Sequence, residues 1–494
     1  MTLEVRVSGG RVAGAGPDEH GGVHAFLGVP YAASPLVGDA RLALPRPARW
    51  DGVRPALEPG PTAPQPAQGF TIIPEPTVPG EECLNVNVFT PDLGRGAGGL
   101  PVLVWIHGGG FRCGTPSSPW YHGRGFGRDG IVVVAISYRL GYEGFLTIDG
   151  APTNRAVHDW LAALRWVQEN VAAFGGDPGN VTIGGQSAGS VACATLLATP
   201  AARGLFRRAI LMSGGVSHLR PIERSRRLAE RLAGALGIPA TRDGFASRTP
   251  AQLVAAEALL RRPVEAADDP APHPAVAQMS RALAGMPNAP VVDGDVLPEA
   301  PLDALRAGAA AGVDVLVGST SEETVMAAQL ADGVDDTVLL DALEATGVRA
   351  EAADAYRRAH PADAPAIVLG RASTDLHFRL PAMRLLEATA GPRTFGYEFR
   401  WPSPTGFGVV HCLDVPFAFG VLDAPAVDVV AGAAPPAWLG EDVHGAWARF
   451  VATGDPGWAP YDGDRRTVMA FGPERSAVVT DPHDLARRTF GHLV

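Results

Sequence analysis

A chain of 494 residues that is 46% hydrophobic and 19% charged can bury a sizeable core, which excludes global disorder. Its net charge of -11 argues against nucleic-acid binding through a broad basic surface, and no run of apolar residues is long enough to predict a membrane span. The sequence contains no lysine, so all 41 basic residues are arginine, which excludes Schiff-base chemistry, a Walker-type phosphate site and Ser-Lys catalysis.

Four cysteines are spread along the chain, at Cys83, Cys113, Cys193 and Cys412. They show no C-x-x-C spacing, so neither a zinc site nor a disulfide framework is indicated, and buried free thiols are expected. The first residues, MTLEVRVSGGRV, carry scattered charges and lack the apolar segment of a secretion signal. The sequence therefore predicts an intracellular protein with a cytoplasmic location.

Apolar runs typical of buried strands recur along the chain. They are PVLVWI from residue 101, IVVVAISY from 131, VTI from 181, AILM from 209, VDVLVG from 313 and RTFGYEF from 393. Helices are predicted between them over 159–174 and over 227–237, where leucines recur on one face and Gly237 marks the end. This alternation favours an α/β fold with a large, mostly parallel sheet covered by helices.

Two segments are poor in strands, roughly 217–290 and 320–390. Their alanine, leucine and arginine content predicts helical excursions that cover the carboxyl edge of the sheet, over the active site. The sequence contains no internal repeat and no linker long enough to separate independent units. We therefore expect residues 1–494 to fold as a single domain.

The glycine-rich sequence HGGGF, residues 107–111, directly follows the first of these strand candidates. Glycines allow backbone N–H groups to approach a substrate oxygen closely. Gly109 and Gly110, together with the N–H of Ala188, are candidates for a three-donor oxyanion hole. A flexible glycine loop is the alternative, and the position of the motif directly after a strand weakens it.

The sequence VTIGGQSAGSVACATLL, residues 181–197, carries Ser187 at the point where a strand candidate turns into a helix candidate. Gly185 and Gly189 complete the pattern G-x-S-x-G, and glycine suits the tight turn because it lacks a Cβ atom. Such a turn is a nucleophile elbow, which exposes the serine hydroxyl at the carboxyl end of a strand. Plain turns also contain this short pattern, so the assignment depends on the strand before it and the helix after it.

A longer segment around this serine, FGGDPGNVTIGGQSAG at residues 174–189, resembles the signature of the type-B carboxylesterase family. This family includes bacterial carboxylesterases similar to para-nitrobenzyl esterase and the cholinesterases. Further matching segments are FLGVPYA (26–32), EECLNVNVFTP (81–91), PVLVWIHGGGF (101–111), SYRLGYEGFL (137–146), LRWVQENVAAFGGDP (164–178), PVVDGDVLPEAP (290–301) and FVATGDPGWAPY (450–461). The resemblance covers most of the chain, and it implies an α/β-hydrolase fold with a Ser-Glu-His triad.

The resemblance also implies positions for the other two triad residues. The acid of the family lies shortly after a strand and a glycine, and in VLVGSTSEET the glutamate in register is Glu323, with Glu322 as the runner-up. The histidine of the family precedes a D-x-P-F-x-F-G pattern, which makes it His411 in VVHCLDVPFAFG. Together with Ser187 these residues follow the chain order of an α/β-hydrolase triad.

These residues predict a serine esterase that acts on short to medium acyl or aryl esters through an acyl-enzyme, without a metal or an organic cofactor. The same machinery could act on amide, carbamate or lactone bonds, or transfer acyl groups. A non-catalytic binding module is a third possibility, since the family contains members that lack the triad. The expected partner is a small-molecule ester, without nucleic acid or membrane, for a monomer or small homo-oligomer.

Overall fold

The computed structural model describes residues 3–17, 21–67, 71–94, 99–215, 219, 221–260, 273–276, 279, 286 and 288–493. The strands of this part of the chain are β1 (Leu3–Val7), β2 (Gly10–Gly14), β3 (His24–Pro30), β4 (Val53–Pro55), β5 (Asn85–Thr90), β6 (Leu100–Ile106), β7 (Val132–Ile136), β8 (Gly176–Gln186), β9 (Arg208–Met212), β10 (Asp314–Thr320), β11 (Thr394–Phe399), β12 (Thr467–Phe471) and β13 (Ser476–Thr480). The six strand candidates from residue 101 onward are therefore found as β6 to β11.

Ten strands form one mixed sheet in the order β13-β12-β11-β10-β9-β8-β6-β7-β5-β3. Neighbouring strands run parallel from β12 to β7 along this order. The strands β13, β5 and β3 join the sheet antiparallel. The prediction of a large, mostly parallel sheet is thus confirmed, with antiparallel strands at both edges. A second sheet contains β1, β2 and β4.

The central strands are buried along their whole length because both of their faces are apolar. Every residue of β7 and of β9 is buried. Since side chains alternate across a strand, Val104 and Val134 pack in a core on one face of the sheet, and Leu103 and Val133 pack in a second core on the other. Both cores are completed by helices, which is the arrangement that two-sided burial requires.

Helices of widely different length surround the sheet. They are Arg124–Arg128, Gly141–Phe145, Arg155–Asn170, Ala188–Ala198, Ile222–Leu236, Arg242–Ala246, Pro250–Leu260, Pro301–Arg306, Val325–Gln329, Asp336–Glu344, Ala350–Arg358, Pro365–Thr374, Leu380–Ala388, Val415–Ala418, Val427–Ala431, Ala437–Thr453 and Asp484–Phe490. A π-helical turn, Asp375–Arg379, joins two of them. In the described part of the chain, none of these helices is both long and apolar enough to cross a membrane.

The two predicted helices are present with shifted ends. The helix predicted over 159–174 runs from Arg155 to Asn170. It begins earlier because Arg155 is buried and its guanidinium donates hydrogen bonds to backbone carbonyls, including those of Glu143 at 2.7 Å and Tyr142 at 2.9 Å. The second helix, Ile222–Leu236, ends at Gly237, whose φ of 63° is left-handed as expected for a glycine stop.

The two strand-poor segments contain helices wherever the structure describes them. Ile222–Leu236, Arg242–Ala246 and Pro250–Leu260 lie in the first segment, and the run from Val325–Gln329 to Leu380–Ala388 fills the second. Within the first prediction, residues 261–272 and 280–285 lie outside the described residues.

The order of the strands determines which loops can meet. The strands β6, β8, β9, β10 and β11 are neighbours in this order in the sheet and run parallel. Their carboxyl ends therefore share one edge of the sheet. The HGGGF loop follows β6, Ser187 follows β8, and Glu323 lies three residues beyond the end of β10. These loops are therefore brought to the same edge, where ligands bind in open α/β sheets.

Candidate active site

Ser187 occupies a strained turn between β8 and the helix Ala188–Ala198. Its φ of 57° and ψ of -122° are rare for a residue with a Cβ atom. The turn is held by two backbone hydrogen bonds, from the Ser187 N–H to the Met212 carbonyl at 2.8 Å and from the Val191 N–H to the Ser187 carbonyl at 3.1 Å. A Cβ atom on Gly189 would lie 1.9 Å from the Ile106 carbonyl oxygen, so only glycine fits there.

The HGGGF loop lies against this turn. A Cβ atom on Gly108 would be 3.2 Å from the Cβ of Ser187, which measures how closely the two segments approach. Gly109 and Gly110 both have positive φ, at 99° and 62°. The carbonyl of Gly109 accepts the N–H of Cys113 at 3.1 Å. The hydrogen bonds of the described residues include none donated by the N–H of Gly109 or Gly110, so both N–H groups remain able to bind a substrate oxygen.

Glu323 and His411 are in direct contact. The Nδ1 atom of His411 forms a hydrogen bond with Oε2 of Glu323, and the backbone N–H of His411 donates to the Glu323 carbonyl at 3.3 Å. The Glu323 carboxylate is buried, and its Oε1 atom accepts the N–H of Thr320 at 2.8 Å. These bonds fix the carboxylate and make Nδ1 the protonated nitrogen of a neutral imidazole.

The environment of His411 favours its protonated form. Burial on its own lowers the pKa of the imidazole, but Cys412 and Glu323 raise it, and the resulting pKa is well above the usual value. The carboxylate is the contact that physically accounts for this, because burial raises the pKa of the Cys412 thiol and so keeps it neutral. The pair therefore stabilises an imidazolium, the state that a general base reaches when it accepts a proton.

Gln186 lies against the imidazole of His411. Its Nε2 atom is 3.0 Å from Nε2 of His411 and 3.5 Å from Nδ1, so the amide lies over the ring near both nitrogens and not along the in-plane lone pair of Nε2. The ring of Phe378 contacts the imidazole with the centroids 5.0 Å apart. Gln186, which precedes Ser187 in the chain, contacts His411, but among the described residues no hydrogen bond joins Ser187 Oγ to His411. The structure thus brings Glu323 and His411 into contact, and Ser187 directly follows Gln186, whose side chain lies against the imidazole.

Glu322, the runner-up acid, has different partners. Its Oε1 atom lies 3.3 Å from Nη2 of Arg371, and its Oε2 atom accepts the N–H of Val409 at 3.3 Å. Of the two adjacent glutamates it is therefore Glu323 whose carboxylate contacts the imidazole of His411.

Sequence reasoning missed Gln186 and Asp414. Asp414 is buried, and its Oδ2 atom accepts the hydroxyl of Tyr397 at 2.9 Å. Burial, together with the charge of Glu323, raises the pKa of Asp414 to about 7. Both missed residues lie within three positions of a predicted site residue, which is the only signal that the sequence offers for them, since their burial and contacts depend on the fold.

Known proteins resemble this chain along almost its whole length. The model of the carboxylesterase family matches residues 1–484. The chain is 34% identical to para-nitrobenzyl esterase of Bacillus subtilis over 94% of both chains, and 35% identical to phenmedipham hydrolase of Pseudarthrobacter oxydans over 93% of this chain and 94% of that protein. The crystal structure of a Geobacillus stearothermophilus carboxylesterase superposes with a TM-score of 0.84 at 35% identity, covering 98% of this chain and 99% of the other.

Proposed function

This chain belongs to the carboxylesterase family, has the α/β-hydrolase fold and hydrolyses carboxylic esters, and on that premise we propose that Ser187, Glu323 and His411 form its catalytic triad. The observation that carries the proposal is the contact of the buried Glu323 carboxylate with His411, together with the strained turn at Ser187. The strain supports it further, because an unfavourable backbone conformation at a serine persists mainly where function requires it.

In the proposed reaction, Nε2 of His411 accepts the proton of the Ser187 hydroxyl as the oxygen attacks the ester carbonyl carbon. Glu323 holds the imidazole through Nδ1 and stabilises its positive charge. The alcohol leaves with the proton from His411, and water then attacks the acyl-enzyme by the same route.

The oxyanion of each tetrahedral intermediate is proposed to bind to the N–H groups of Gly109, Gly110 and Ala188. The free N–H groups of the two glycines and the start of a helix at Ala188 support this role. We propose short to medium acyl or aryl esters as substrates. Among the relatives, the names para-nitrobenzyl esterase and phenmedipham hydrolase describe what those proteins act on.

The decisive experiment compares Ser187→Ala with the wild type on esters of graded acyl length, alongside matched amides. We expect the variant to lose turnover by about 10⁴-fold or more while folding normally, because no other hydroxyl occupies the turn. Ser190→Ala is the matched control, since Ser190 Oγ donates to the Gly214 carbonyl at 3.1 Å and should be dispensable for chemistry. Retained turnover in Ser187→Ala would assign the nucleophile elsewhere, and faster cleavage of the amides would change the substrate class.

We also propose a cytoplasmic location, one folded domain over residues 1–494, and a monomer or small homo-oligomer. All four cysteines are free thiols, which supports a reducing compartment. Strands from the N-terminal third and from the last thirty residues share one sheet, which supports a single domain. Cell fractionation, limited proteolysis and light scattering would check these three statements.

A further inference from the structure

The segment that carries His411 is attached to the loop after β10 at more than one point. The His411 side chain and backbone N–H both bind Glu323, as described above. Two residues earlier, the N–H of Val409 donates to Oε2 of Glu322 at 3.3 Å. Adjacent glutamates thus hold adjacent parts of the same segment, one through the imidazole and the other through the backbone.

Glu322 is itself fixed in position. Its Oε1 atom pairs with Arg371, which belongs to the helix Pro365–Thr374, and four-fifths of its side chain is buried. The segment also approaches Glu322 closely at Gly408, where a Cβ atom would lie 2.7 Å from Oε2 and where φ is +66°. A glycine at this position lets the carboxylate reach the backbone of the histidine segment. The positive charge of Arg371 balances Glu322, so this second carboxylate need not act on the imidazole through its charge.

Resting on the triad proposed above, we propose that Glu322 is a positioning residue: its carboxylate anchors Val409 to the helix Pro365–Thr374 and so sets the angle at which the imidazole of His411 meets Glu323. Two adjacent glutamates then divide the work. Glu323 bonds to the ring, and Glu322 keeps the ring where that bond is well aligned. Its removal frees the segment before His411 while every group that touches the substrate remains.

The test uses Glu322→Ala and Glu322→Gln. Because a misplacement of about 1 Å can cost up to about 10²-fold in rate, we expect Glu322→Ala to lower kcat by about 10- to 100-fold with KM nearly unchanged. Glu322→Gln keeps an oxygen for the Val409 N–H and should lose less than Glu322→Ala. Asp363→Asn is the matched control, since Asp363 binds Nε of Arg371 at 3.0 Å without contacting the histidine segment. Its kcat should equal that of the wild type.

A second measurement does not depend on turnover. The Nδ1 proton of His411 should give a low-field NMR resonance, assigned by its loss in His411→Ala, because the hydrogen bond to Glu323 deshields it. We expect this resonance to shift or disappear in Glu322→Ala and to persist in Asp363→Asn.

An unchanged resonance in Glu322→Ala, or a kcat of Glu322→Ala within about twofold of the wild type, overturns the positioning role. If Ser187→Ala or His411→Ala keeps the turnover of the wild type, the proposed triad fails instead. Should Glu322→Ala not fold, the same two measurements on Glu322→Leu, which has no oxygen for the Val409 N–H, decide the matter, and wild-type values in both overturn the positioning role.

Discussion

Gln186 gives the imidazole of His411 a neutral neighbour. Its amide lies 3.0 Å from Nε2, so a carboxylate at the same position would face the imidazolium directly. We expect Gln186→Glu to raise the pKa of His411, because a nearby negative charge stabilises the protonated imidazole. The base acts only when it is deprotonated, so the acid limb of kcat/KM should move to higher pH by about one unit or more.

The pH dependence of kcat/KM measures this shift, with Gln186→Met as the uncharged control of similar size. In the control the acid limb should stay near that of the wild type, since no charge is added. The other groups that face the imidazole, Glu323, Cys412 and Phe378, are the same in both variants. An acid limb that does not move in Gln186→Glu would mean that this side chain leaves the imidazole before the chemical step.

At the level of single residues, the sequence could identify Ser187 because its signal is local, a strand and a helix joined through glycines. The choice between Glu322 and Glu323 was not local, since both follow β10 within three residues of its end. It depends on Arg371, nearly fifty positions later, which pairs with Glu322. The contact of Gln186 with His411 joins residues 225 positions apart, and nothing in the sequence around Gln186 reports it.

At the level of elements, the buried central strands were predictable because they are continuous apolar runs, whereas β5 was not, although it lies inside the sheet between β7 and β3. In β5, Asn85 and Asn87 interrupt the apolar pattern, yet both side chains are buried. The Asn85 amide donates to the Pro61 carbonyl at 2.8 Å, and Oδ1 of Asn87 accepts the Gly28 N–H at 2.9 Å. These partners lie 24 and 59 positions away in the chain, so the sequence around the two asparagines does not show that their side chains can be buried.

The sheet edge explains why the site needs elements from so much of the chain. β6, β8 and β10 each supply one loop, and the histidine comes from the segment after β11. Parallel strands deliver their carboxyl ends to one edge, so residues far apart in sequence meet there without long connections. The order of site residues along the chain was therefore predictable from the fold class, while their hydrogen bonds were not.

At the scale of the whole molecule, the buried His107 and the largely buried His483 connect the stability of the fold to pH. His107 lies at the end of the core strand β6, and His483 lies beside Glu398 near the C-terminus, with its Nδ1 atom 3.8 Å from the carboxylate. Burial is the main cause that lowers the pKa of each imidazole from 6.5 to about 4. Both are therefore neutral in the folded protein at pH values where an unfolded chain would protonate them.

The sign of the effect follows from this difference. Between about pH 6.5 and 4 the unfolded chain binds protons that the folded chain does not, so the free energy of unfolding rises with pH in this window. On acidification each imidazole should lower the free energy of unfolding by up to about 3 kcal/mol, and little more is lost once the pH is below the folded-state pKa.

We expect His483→Gln to reduce the pH dependence measured by urea unfolding across this window, because its amide does not titrate. His273→Gln, a change on a partly exposed loop, is the control and should keep the slope of the wild type. If His483→Gln and the wild type lose stability equally on acidification, the imidazole of His483 is not held neutral by burial, and other groups drive the acid sensitivity.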